Sequence, residues 1–100
     1  MPYRVDIAPE AAKEIEEIYL YIAQDSLGAA MRWYFAIHDK IQTLKEFPNR
    51  CPMAFESRFY SYEIRNLIFG SYRVLFRVKE SEQRVQILHV KHGSRERMPF

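Results

Sequence analysis

Four arginines in the C-terminal half carry the clearest chemical capability of this chain: Arg65, Arg73, Arg77 and Arg95. A guanidinium stays charged, and its planar fork donates two parallel hydrogen bonds, which suits phosphate or carboxylate. Arg73 and Arg77 stand four residues apart in an alternating stretch, so a strand puts both on one face. Arg65 belongs to the preceding strand and Arg95 lies just past the following one. The expectation is one sheet face carrying all four, able to grip an anion or to meet an acidic partner. The same spacing also fits an ordinary solvated face with Glu63 as ion-pair partner.

His89 and His92 are three residues apart on a strand and so point to opposite faces, which prevents them from ligating one metal ion. No cysteine or acidic cluster completes a site, and neither metal nor cofactor is expected. His92, at the strand end, can exchange a proton near neutral pH, although a loop-edge histidine without that task is the plainer reading. His38 reads as a helix-surface or core-edge residue. Cys51 follows Arg50, which favours the thiolate slightly, but no base is near it in sequence, and a packed thiol is expected. Trp33, Tyr34 and Phe35 could stack nucleobases, yet residues at helical spacing are more often core. The chain has no Gly-rich phosphate loop, no G-x-S-x-G and no H-E-x-x-H.

The elements that must position these residues follow from periodicity. Tyr3, Val5 and Ile7 alternate with Arg4 and Asp6, predicting a short strand with one buried face. Pro9 opens a helix whose apolar stripe is Ile15, Ile18, Tyr19 and Ile22, with Lys13, Glu14, Glu16 and Glu17 facing water. Ser26 is a credible N-cap for a second helix with Ala30, Tyr34, Ile37, Ile41 and Leu44 on its inner face. The short break between the helices makes them an antiparallel hairpin. Pro48 ends the second helix by disfavouring helical geometry at Phe47. Residues 49–61 have no clean period and read as an ordered loop packed on the domain. From Tyr62 onward three antiparallel strands are expected. Tyr72, Val74, Phe76 and Val78 face one way, while Arg73, Leu75, Arg77 and Lys79 face the other. Val85 to Val90 is nearly all apolar, as for a central strand. The fold class is α+β: a short N-terminal strand, a two-helix hairpin, and three strands in one sheet with the helices on one face.

One hundred residues imply a single domain, 1–100, and 48% hydrophobic content with 15% aromatic content supports a core without staples. A net charge of +2 is too small by itself to mark a nucleic-acid binder. A lone cysteine fits a reducing compartment. With no apolar leader and no span of membrane length, a soluble cytoplasmic protein is expected.

The segments APEAAKEIEEIYLYIA, LKEFP, EIRNL, YRVLFRV and VQILHVKHGSR, taken in order, resemble the ParE/RelE toxin superfamily of bacterial type II toxin–antitoxin (plasmid stabilisation-like) systems. That resemblance covers nearly the whole chain. It implies a toxin neutralised by a cognate antitoxin, whose acidic tail lies across the sheet and hairpin, with operator DNA reached only through the antitoxin. RelE-like members cleave messenger RNA on the ribosome and ParE-like members poison DNA gyrase. For the first activity the resemblance points to Arg65, Arg73 and Arg95, with His92 as the available proton-transfer group. Glu63 stands where RelE-like toxins often carry a basic residue, and no tyrosine follows Arg95. The helical hairpin and the EIR/YRV pattern look more like ParE, implying a gyrase-directed toxin in which Arg65, Arg73, Arg77 and Arg95 make target or antitoxin contacts. Alternatives are the ribosome-dependent endoribonuclease and a non-toxic member kept as a binding module.

Overall fold

The computed structural model describes residues 2–93. Strand β1 (Arg4–Ile7) leads into helix α1 (Pro9–Ala23) and helix α2 (Leu27–Gln42), followed by β2 (Arg65–Phe69), β3 (Tyr72–Lys79) and β4 (Arg84–His92). The sheet order is β1-β4-β3-β2. The three later strands form the antiparallel run expected, and β1 joins at the far edge, parallel to β4. The architecture is α+β with the hairpin on one sheet face.

Local chemistry explains the boundaries. Pro9 sits in the first turn of α1, where its missing N–H costs nothing. Ser26 caps α2 by accepting a hydrogen bond from the Ala29 amide at 3.1 Å. After α2 the chain takes one 3-10 turn, then Phe47 adopts a left-handed conformation at φ 48°. The Arg50 guanidinium holds that corner, donating to the Glu46 carbonyl at 2.7 Å and the Phe47 carbonyl at 3.1 Å. Gly70, at φ 57°, makes the tight turn between β2 and β3.

The main core lies between hairpin and sheet. Ile15, Ile37, Ile41, Leu44, Phe76 and Ile87 are essentially inaccessible there. A second, smaller cluster sits on the opposite face, where Ala54, Ile64 and Leu75 pack with Tyr60, Tyr62 and Leu88. The expected loop of residues 49–61 is indeed ordered, and together with residues 62–64 it covers that face. This corrects two expectations. Strand β2 begins at Arg65 rather than Tyr62, because the backbone of Ile64 is taken by the loop: its amide donates to Ser57 Oγ at 2.9 Å and its carbonyl accepts from Ala54 at 2.8 Å. Leu75, assigned by alternation to the polar face, is fully buried.

Glu14 is a third correction. Strand β1 is only four residues long, and its last bond to β4 is the Ala8 amide to the Ile87 carbonyl at 2.9 Å. Beyond that point α1 runs along the edge of β4. Glu14, expected to face water, is buried there and accepts a hydrogen bond from the Val90 amide at 2.9 Å. Its carboxylate also meets Lys91 Nζ at 2.6 Å and His89 Nδ1 at 3.3 Å. A side chain thus takes the place of the missing strand. Glu14→Ala leaves the Val90 amide without this acceptor and is expected to cost about 1–3 kcal/mol. A urea titration measures this, with faster hydrogen exchange at the Val90 amide as its local signature. A loss under ~0.5 kcal/mol, which is the scale of an ordinary surface change, would show that the edge does not depend on Glu14.

Candidate functional site

The four arginines do not share one face. Arg65 stands opposite Phe76 in the β2–β3 register and therefore leaves the sheet on the helix side, whereas Arg73 and Arg77 leave on the loop side. Arg95 lies outside the described residues. The expectation of a single arginine face is thus corrected. Alternation within β3 relates Arg73 to Arg77, but only the cross-strand register decides where Arg65 falls.

Each described arginine has its own arrangement. Arg73 is buried at 7% exposure against Glu56, which is fully inaccessible. The pair is bidentate: Nη1 donates to Oε1 at 3.0 Å and Nη2 donates to Oε2. Glu56 comes from the 3-10 turn Phe55–Phe59, so this pair bolts the covering loop to the sheet. Arg65 donates to the Cys51 carbonyl at 2.6 Å and lies 3.5 Å from Glu63, the pairing foreseen for that acid. Arg77 stacks on Tyr62, its guanidinium carbon 3.7 Å from the ring centroid. Its buried Nε has no hydrogen-bond partner among the described residues.

Arg65 and Arg77 still meet at one place. A pocket of about 180 Å³ at the start of β2 is lined by both, with Asn49, Tyr62, Glu63 and Glu80. Glu80 is held by Asn49 at 2.6 Å and by the Tyr3 hydroxyl at 2.7 Å, and these hydrogen bonds, that of Asn49 first, keep its carboxyl below the usual range. Two guanidiniums and two carboxylates balance in this pocket, so its field favours a polar group over a free anion.

The histidines separate as their spacing requires. His92 packs edge-on against Tyr72, with centroids 5.5 Å apart, while His89 reaches Glu14. His38 lies on the helix surface against Tyr34. Cys51 is buried, and that burial raises its thiol pKa against the opposing pull of Arg50, so the packed-thiol reading fits. Trp33 packs against Tyr72 at the core margin. Phe35, expected in the core, is instead 61% exposed. With Leu27 and Met31 at four-residue intervals it forms an outward apolar stripe on α2. Sequence reasoning missed Glu14 and Glu56 as key residues. Neither carries a local signal, since their partners lie 76 and 17 residues away.

This fold and its buried loop-to-sheet ion pair are accompanied by a family match. The model of the ParE toxin of the type II toxin–antitoxin system parDE matches residues 5–97, and the chain belongs to that family. Among solved structures, a chromosomal ParDE toxin–antitoxin system from P. aeruginosa is similar, with TM-score 0.72 and 20% identity over 90% of this chain and 95% of that one. The RelBE2 toxin–antitoxin complex from Mycobacterium tuberculosis gives TM-score 0.59 at 23% identity, covering 92% and 99% of the two chains. The archaeal RelE–RelB complex from Pyrococcus horikoshii gives 0.56 at 20% identity, covering 95% and 99%. No curated protein matches the chain in sequence.

Proposed function

We propose that this chain arrests growth as a ParE-like toxin directed at DNA gyrase, rather than by cutting messenger RNA, and that a cognate antitoxin neutralises it in the cytoplasm. The observation that carries this reading is the Arg73–Glu56 pair. Cleavage by attack of a ribose 2′-OH needs a base, an acid and cations aimed at the developing phosphorane charge. Arg73 spends its guanidinium fork on a buried carboxylate, and Arg65 spends a donor on the Cys51 carbonyl. Turning Arg73 from Glu56 to a phosphate would break a bidentate pair inside the protein, at a high desolvation cost. Glu63, on the rim, is half of an ion pair with Arg65.

The outward stripe of Leu27, Met31 and Phe35 supplies the apolar surface that an amphipathic antitoxin segment would cover. The structural neighbours named above are themselves toxin–antitoxin systems or complexes. Operator DNA is then reached through the antitoxin. Among the described residues no helix is long and apolar enough to cross a membrane.

Expression in growing cells tests the proposal. The expected result is stabilised gyrase–DNA cleavage complexes with intact messages. Toe-printing that finds cuts at A-site codons, lost in His92→Ala or Glu63→Gln, would overturn it in favour of the ribosome. Unimpaired growth with a folded protein would leave a binding module without toxicity.

A further inference from the structure

The loop-side face of the sheet continues past the covering loop, and its uncovered end carries an unusual row. The register sets Arg4 of β1 opposite Arg84 of β4, and Arg84 opposite Lys79 of β3. Their neighbours Val5, Val85 and Val78 belong to the main core or pack against it, so these three cations all point away from the helices. The next row is Asp6, Gln86 and Arg77. Three like charges side by side across three strands oppose sheet formation. Among the described residues, two acids offset them. Asp6 accepts from Arg84 Nε at 2.8 Å and lies 3.7 Å from Arg4, while Glu82 accepts from Arg84 Nη1 at 2.7 Å. The Glu82 carboxyl is held below its usual range, first by the Arg84 hydrogen bond, with Lys79 and Arg4 adding to the field. Lys79 and Arg77 have no ion-pair partner among the described residues.

We propose that this cross-strand row, Arg4–Arg84–Lys79, is a binding surface for the phosphodiester backbone of a nucleic acid. Adjacent strands are ~4.8 Å apart, so the row spans about 10 Å. That is about three axial steps of ~3.4 Å along one strand, so the row reaches three to four successive phosphates. The side chains of these two rows are all polar or charged. Protein interfaces concentrate their energy in buried aromatic or apolar anchors, and among the described residues the aromatic beside these rows, Tyr62, is already taken by Arg77, whereas backbone contacts to nucleic acid need only placed cations. Arg84 is held by two carboxylates and sets the geometry, and Arg4 and Lys79 are the charges that meet the ligand. Glu82 is the local brake. The surface is distinct from the Arg73–Glu56 pair and is independent of which target the chain arrests.

The test uses the full chain and fluorescence anisotropy with a mixed-sequence DNA duplex, an RNA duplex of the same sequence, and a polyglutamate peptide as acidic-protein probe. Weak, salt-sensitive binding to one or both duplexes is expected, with the comparison of the two assigning the source of the phosphate. Lys79→Glu and Arg4→Glu should each weaken it about five- to tenfold at low salt and lower the salt slope by about one. Glu82→Gln should tighten it about threefold, a gain that misfolding does not produce. Absence of duplex binding at low salt by folded protein overturns the proposal, as does equal affinity in the variants. Preference for polyglutamate overturns it in favour of an acidic protein partner.

Discussion

Glu56→Ala is expected to destabilise the protein by about 3–5 kcal/mol, because it removes the bidentate carboxylate from a guanidinium with almost no access to water. The cost comes from weaker compensation of a buried charge more than from the lost attraction. Arg73→Ala should cost a similar amount for the mirror reason. Replacing both partners with apolar side chains of similar volume, as in Glu56→Leu with Arg73→Met, should recover most of the loss, since a buried ion pair gains little over good packing. A double-mutant cycle by urea titration measures this. Single variants within ~1 kcal/mol of the parent would show that the pair is open to solvent, and Arg73 would again be available for a phosphate.

Phe76→Ala is expected to cost about 3–5 kcal/mol, as the side chain is fully buried between sheet and hairpin. Its neighbour supplies the sharper comparison. Leu75→Ala should cost about 2–4 kcal/mol although Leu75 lies on the opposite face, because the covering loop buries it with Ala54 and Ile64. A denaturant titration in which Phe76→Ala costs under about 1 kcal/mol would place the core on the wrong side of the sheet. A comparably small loss for Leu75→Ala would show that the loop does not seal its face.

These two faces mark how far the sequence was legible. The helices, their break at Ser26, the Gly70 turn and the core direction of Tyr72, Val74, Phe76 and Val78 follow from spacings within one element. So does the separation of His89 from His92. Periodicity reports which residues of an element share a face, and capping and turn residues act over a few positions. The family resemblance likewise rests on short segments in order, and the match over residues 5–97 agrees with it.

What periodicity cannot report is which element comes to lie on which face. Arg65 and Arg73 were grouped on one sheet surface because each sits on an alternating strand, and the register separated them. Glu14 was expected to face water and Glu56 sat in a loop without a period, since nothing nearby in the chain marks either carboxylate as buried. The first is buried because β1 is too short to pair the whole of β4, the second because an aperiodic loop folds across the sheet to meet Arg73. The sequence alone therefore determined the two helices, the core-facing residues of β3 and the family to which they point. Tertiary structure alone decided which charges are spent inside the protein and which, such as the Arg4–Arg84–Lys79 row, remain outside. A charge becomes structural only when a partner distant in sequence arrives and excludes water from both, and that meeting is a property of the packed chain.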